Sequence, residues 1–232
     1  MAEYSLKIID NIKYMVYKSF VDVAGFDDYL NYSQYIEIKS HVISDTGKKI
    51  PVKRIGTHAF ANRTLLREVI IPDTVTEIGV CTFYGCSYLK DVKMSKRAHI
   101  FYENCFGGCE SLESIEFSTY KDIYIYKDAF SKTGIKEVVF PDVGCVVYNL
   151  AFYDCKSLKK VTFLGVPFRI IQGNSFCECP YLTSTIFPKE FLDGKEAHLS
   201  NGLGVSNAPQ GLSALWEAGL KTREVLLRIP SV

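Results

Sequence analysis

Almost no net charge remains on this chain of 232 residues, in which 27 basic side chains face 26 acidic ones. A nucleic-acid partner would favour a basic stripe, so that class of partner is excluded. No apolar run reaches the roughly 18 residues that mark a membrane-spanning helix. Histidine is scarce, with copies at His41, His58, His99 and His198, and none has a companion at metal-ligand spacing. Cys177 with Cys179 and Cys105 with Cys109 lie close in sequence but lack a second pair at zinc spacing. There is no G-x-S-x-G elbow, P-loop or H-E-x-x-H. The sequence therefore offers no catalytic residue, no metal site and no cofactor site. Its first residues, Met-Ala-Glu-Tyr-Ser-Leu-Lys, are not a basic segment followed by an apolar stretch. As written, the chain reads as lacking a secretory signal and as cytoplasmic.

What the sequence does have is a period. Phenylalanine recurs at Phe60, Phe83, Phe106, Phe130, Phe152 and Phe176, at intervals of 23, 23, 24, 22 and 24 residues. Five positions before each Phe stands an apolar residue: Ile55, Ile78, Phe101, Ile125, Val147, Ile171. Just before it stands a small one: Ala59, Thr82, Cys105, Ala129, Ala151, Ser175. Three after it come Arg63, Cys86, Cys109, Thr133, Cys155 and Cys179. A Leu or Ile column follows (Leu66, Leu89, Leu112, Ile135, Leu158, Leu182), then an aliphatic column from Val69 to Val161. The last column runs Ile71, Met94, Phe117, Phe140, Phe163, Phe187. A unit of about 23 residues cannot bury its own apolar face, so neighbours must stack on it and make the core continuous. Each unit carries two short alternating segments, one such as Glu68-Val69-Ile70-Ile71 and one such as Tyr124-Ile125-Tyr126, which read as two strands per turn.

The motif IGTHAFANRTLLREVIIPDTVTEIGVCTFYGCSYLKDV resembles the BspA-like leucine-rich repeats, over about residues 36 to 188. Pro72, Pro141 and Pro188 keep the family's proline, whereas Ser95, Ser118 and Leu164 replace it, and Arg63 and Thr133 interrupt the Cys column. The resemblance implies a β-rich (α/β-type) leucine-rich-repeat solenoid, a right-handed stack of short parallel strands. It also implies a non-catalytic scaffold that binds another macromolecule. Many proteins of this kind sit on microbial surfaces, so adhesion to a host, matrix or microbial surface protein is the first expectation, with a cell-surface or secreted location. An intracellular scaffold binding an intracellular partner is the alternative. An enzyme domain within residues 189–232 is a third, with only the irregularity of that segment behind it.

The frame divides the chain. Residues 1–35 lack it and hold two strand-like segments, Lys13 to Tyr17 and Ser19 to Ala24, expected as a capping hairpin. Residues 36–188 comprise one degenerate repeat, with Ile36, Ile38 and Val42, and six full ones. Residues 189–232 begin with a loop-like stretch and end with Leu212, Leu215, Trp216, Leu220, Leu226 and Leu227 on one side of a predicted helix, expected to cover the last repeat. Four of eight cysteines occupy one column and read as small buried hydrophobes with free thiols. Stacked equivalents lie about 4.8 Å apart, which would strain a disulfide between neighbours.

One surface departs from ordinary solvated polarity. Strand side chains alternate, so the neighbours of the inward column point outward. Those positions are Ile100 and Tyr102, Tyr124 and Tyr126, Val146 and Tyr148, then Ile170 and Gln172. The other strand's outer face carries Glu68, Asp91, Lys93, Ser114, Glu116, Glu137, Lys160 and Thr162. The residues Ile100, Tyr102, Tyr124, Tyr126, Val146, Tyr148 and Ile170 are thus the candidate partner surface. The competing reading is that stacked tyrosines stabilise the sheet through neighbour pairing or lie under the tail.

Overall fold

The structure is a computed structural model that describes residues 4–27, 33–165, 168–171 and 174–186. The helix expected over residues 212–227 lies outside them. In chain order, β1 (Ser5–Ile9), β2 (Ile12–Val16) and β3 (Val21–Phe26) form an antiparallel meander. β4 (Tyr35–Glu37) follows, then β5 (His41–Ile43) and β6 (Lys49–Ile55), which pair as a hairpin. The repeats supply β7 (Glu68–Ile70), β8 (Glu77–Ile78), β9 (Asp91–Lys93), β10 (Ile100–Phe101), β11 (Ile123–Ile125), β12 (Glu137–Phe140), β13 (Cys145–Val147), β14 (Lys160–Phe163), β15 (Phe168–Ile171) and β16 (Ser184–Ile186). A ten-stranded sheet runs β1-β2-β3-β6-β8-β10-β11-β13-β15, with β5 paired to β6. From β3 onward along that path every pairing is parallel. The opposite side of the solenoid carries two three-stranded sheets, β4-β7-β9 and β12-β14-β16.

The six phenylalanines form one continuous ladder through the core. Adjacent rings lie 5.1–5.5 Å apart and within 18° of parallel. The backbone around them is equally repetitive. The amide of each Phe donates to the carbonyl just before the next Phe, at 2.8 Å in all five cases. Two residues before the ring, His58, Cys81, Asn104, Asp128 and Leu150 have left-handed φ. Two residues after it, Asn62, Gly85, Gly108, Lys132, Asp154 and Glu178 do too. Paired left-handed residues reverse the chain tightly around one ring, and only two of these eleven are glycine. For the remainder, and most for Leu150, the conformation carries a cost of about 1–2 kcal/mol that the stack must override.

The cysteine column has a polar function as well as an apolar one. Cys86, Cys109, Cys155 and Cys179 each direct Sγ at the carbonyl of the Phe one repeat earlier, at 3.1–3.2 Å. Thr133, which interrupts the column, donates to its own repeat's Phe130 carbonyl at 2.9 Å instead. All eight cysteines are free thiols. Burial pushes the Cys86 and Cys145 thiols up to about 12.

Three features differ from the sequence reading. The N-terminal cap is a three-stranded meander rather than a hairpin, because Ser5–Ile9 adds a strand at its edge. Its last residue, Phe26, meets Phe60 edge-on at 5.1 Å, and the Arg63 guanidinium lies 5.3 Å over the Phe26 ring. Arg63 therefore replaces the column thiol where the ladder meets its cap. The third feature is a missing strand. The segment containing Ser114 and Glu116 forms none, which splits the second side into two sheets. Repeat three alone carries rings, Phe101 and Phe117, at both inward strand columns. They meet edge-on at 5.5 Å, and Phe117 still stacks on Phe140 of the next repeat at 5.5 Å.

Two outcomes follow. Leu150→Asn, which copies Asn104 at the equivalent position, should raise unfolding free energy in urea by about 0.5–1 kcal/mol; a loss of stability would contradict strain at that site. Stability should also fall between about pH 8.5 and the folded value near 12, because unfolded thiols ionise there while buried ones stay protonated. The unfolded state then binds fewer protons, and each such thiol contributes a slope of about 1.4 kcal/mol per pH unit. Urea melts at pH 7 and pH 9.5 should show the decline, and Cys86→Ala should reduce it.

Candidate functional site

The outer face of the ten-stranded sheet is built from two rows that the strand register fixes. In the first, Asp22, Arg54, Glu77, Ile100, Tyr124, Val146 and Ile170 pair side by side across seven strands. In the second, the amides of Gly56, Gly79, Tyr102, Tyr126 and Tyr148 each donate to the preceding repeat at 2.8–2.9 Å, which makes them equivalents. Both rows change character midway. Repeats one and two supply charges and glycines, and repeats three to five supply apolar and aromatic residues.

The tyrosines of the second row stack. Tyr102 and Tyr126 lie 5.3 Å apart at 20°, and Tyr126 and Tyr148 lie 4.9 Å apart at 17°. All three are half-buried. Burial, then the neighbouring rings, pushes the Tyr126 phenol up. Burial and the negative charge of Glu77 do the same for Tyr102. The ladder thus presents stacked rings with hydroxyl tips. Val146 is buried at 4% exposure although it lies outside the main core. It therefore adds no accessible area. A short side chain, flanked by a strand on each edge and by Tyr124 in register, is shielded by its neighbours. The side chain of Ile170 and all of Gln172 lie outside the described residues.

At Tyr102 the ladder stops against a cavity of about 600 Å³, lined by Gly56, Gly79, Arg54, Asp22 and Met15 among others. The glycines explain it. A Cβ on Gly79 would lie 2.7 Å from the Ile55 carbonyl oxygen, and one on Gly56 would lie 2.7 Å from that of Val23. No side chain fits there, so the row that carries tyrosine later is empty at this end. The floor holds an ion pair with a buried carboxylate. Asp22 is only 1% exposed, and its carboxylate receives Arg54 Nε at 3.2 Å and a second bond from Nη2. The two outward rows extend back to Arg54, Glu77, Gly56 and Gly79, a continuation that the same repeat frame already contained. Asp22 had no such signal, because it lies before the first repeat.

The second side of the solenoid is different. It carries two ion pairs across repeats, with Lys136 Nζ 2.6 Å from Glu113 Oε2 and Lys160 Nζ 3.7 Å from Glu137 Oε2. Among the described residues no helix is long and apolar enough to cross a membrane, and no group of three His, Cys, Asp or Glu is placed to hold a metal ion.

The sequence matches the BspA type leucine rich repeat region in six copies, over residues 31–159 and 123–202. Among solved structures, a leucine-rich repeat protein from Bacteroides ovatus is similar at 28% identity and a TM-score of 0.63. The match covers 78% of this chain and 53% of that protein, so the chain spans about half its length. A leucine rich repeat protein from T. pallidum shares the fold at 23% identity and a TM-score of 0.63, over 79% of this chain and 82% of that one. No curated protein matches the chain.

Removing Arg54 would leave the Asp22 carboxylate buried without its partner. Arg54→Met should therefore cost about 3 kcal/mol in urea unfolding, and Asp22→Leu added to it should recover most of that loss. Equal stability of the single variant and the native chain would show that the pair does not organise the cavity floor.

Proposed function

The chain belongs to the BspA-type leucine-rich repeat family, and we propose that it is a protein-binding scaffold whose partner surface is the outer face of the long sheet. Repeats of this family are generally protein-interaction scaffolds and are typically non-catalytic. The observation that carries the specific reading is the ladder Tyr102, Tyr126 and Tyr148, stacked and half-buried, ending at a cavity. Stacked tyrosines are rigid, supply large apolar area and keep a hydrogen-bonding tip, the properties that concentrate binding energy at interface centres. Ile100 and Tyr124 flank the ladder in register, and Val146 and Ile170 continue that row. The cavity beside Tyr102 fits a protruding partner side chain.

Recognition of a host, matrix or microbial surface protein is the use we infer. A second reading, an intracellular interaction scaffold, has its own support in eight unpaired cysteines, a pattern suited to a reducing compartment. Both place the partner on the same surface.

A photo-crosslinking residue in place of Tyr124 tests the reading against host extracts and against lysate of the source cell. It should capture a protein from one of the two, and the same residue in place of Lys160 on the other side should not. With that partner in hand, Tyr126→Ala should weaken binding more than about tenfold while leaving the melting curve close to native. Phe130→Ala, inside the core ladder, should instead cost about 3–5 kcal/mol of stability. Unchanged affinity for Tyr126→Ala would assign the tyrosines to sheet stability alone.

A further inference from the structure

Three successive turns bring together a second group of side chains on this face, separate from the tyrosine ladder. A depression of about 500 Å³ lies beside the Asp22–Arg54 pair, lined by Lys53, Arg97, His99, Tyr120, Lys121 and Glu77 among others. Lys53 comes from β6, Arg97 and His99 from the turn before β10, and Tyr120 and Lys121 from the turn before β11. Tyr120 is 45% exposed and is held between cations. The Arg97 guanidinium carbon lies 4.5 Å from its ring centre and Lys121 Nζ lies 5.5 Å away. Arg97 Nη2 also donates to the Tyr120 hydroxyl at 2.8 Å. Arg97, then Lys121 and Lys53, hold the Tyr120 phenol below its ordinary range, a sign of local positive potential.

Two carboxylates, Asp22 and Glu77, also line the depression, and Asp22 is bonded to Arg54. Among the described residues no carboxylate forms an ion pair with Lys53, Arg97 or Lys121, whereas Lys136 and Lys160 on the other side each have one. Arg97 Nε is shielded from solvent and has no hydrogen-bond partner. Arg97 and Lys121 lie over the Tyr120 ring and Lys53 and Arg54 share the lining, so four basic side chains face two carboxylates there, and an anion relieves the excess positive charge. A guanidinium matches an oxyanion in a bidentate fork, and ammonium groups add point charge. The space is that of a small-molecule site, which typically spans about 300–1,000 Å³, and exceeds what a bare oxyanion fills.

We propose that this depression binds a phosphoryl or sulfo group esterified to a larger molecule, with Arg97, Lys121 and Lys53 as the anion's ligands and the Tyr120 side of the depression receiving the attached organic part. The inference goes beyond the partner surface argued above and needs no protein partner to be tested. The probes are phenyl phosphate, phenyl sulfate, inorganic phosphate and inorganic sulfate, titrated into the full chain while the Tyr120 and His99 ring signals are followed by NMR. At least one ester should bind saturably and more tightly than its inorganic counterpart, and the better ester distinguishes phosphoryl from sulfo. Lys121→Gln, at an exposed position that should not affect folding, should weaken binding roughly threefold to tenfold, and Arg97→Gln at least as much. Lys160→Gln on the opposite side and Tyr126→Ala on the ladder should leave it unchanged. Shifts that fail to saturate with all four probes, or saturable binding that Lys121→Gln leaves intact, would overturn the site. Inorganic anions binding as tightly as the esters would overturn the esterified ligand.

Discussion

The stacking of one phenylalanine per turn is the interaction on which the rest of this structure depends. A turn of about 23 residues has too little apolar surface to fold alone, so stability resides in the contacts between turns. The Phe ladder supplies those contacts in one direction, and the Phe amides repeat one backbone bond at one distance along it. The left-handed residues on either side of each ring follow from this arrangement. The backbone must reverse twice around a bulky side chain, and it does so even where Leu, Lys, His or Cys occupies the position. Small residues before each ring and thiols three positions after it fill what space remains, and the thiols also satisfy the Phe carbonyls.

A stack held in register converts sequence columns into surface rows. That is why the outer face of the long sheet can be read as two rows across many strands. It is also why a change of residue type along a row becomes a boundary on the surface. Glycine yields to tyrosine between repeats two and three, because neighbouring backbone leaves no room for Cβ at Gly56 and Gly79. Charge yields to aliphatic and aromatic residues over the same interval. The face therefore has an aromatic half and a charged half, the latter holding the Asp22–Arg54 pair. The other side carries ion pairs between repeats instead.

Most of the fold was legible because each inward column is enforced six times. Ile55, Ile78, Phe101, Ile125 and Val147, named as inward from alternation alone, are all fully buried. The tyrosines were expected to stack in register, and their rings do. What was not legible lay outside the repeat. Ser5–Ile9 has no equivalent in other turns, and Asp22 is paired with a residue 32 positions away. The lost strand in repeat three has no signal in the columns, since Ile115 and Phe117 fit the frame there. Val146 was placed on the correct face, but alternation carries no information about shielding by larger neighbours. The cationic group around Tyr120 joins residues from three successive turns at positions between the conserved spacings of the frame, so no column marks it.

The central claim is that the tyrosine row, rather than any other exposed aromatic, meets the partner. Tyr84, Tyr88 and Tyr181 are exposed elsewhere on the solenoid and serve as internal controls. Hydroxyl-radical footprinting of the chain, alone and bound to a captured partner, reads all of them in one experiment. The account predicts that Tyr102, Tyr126 and Tyr148 lose reactivity on binding while Tyr84, Tyr88 and Tyr181 keep theirs. Protection of the control tyrosines with the row unchanged would contradict it.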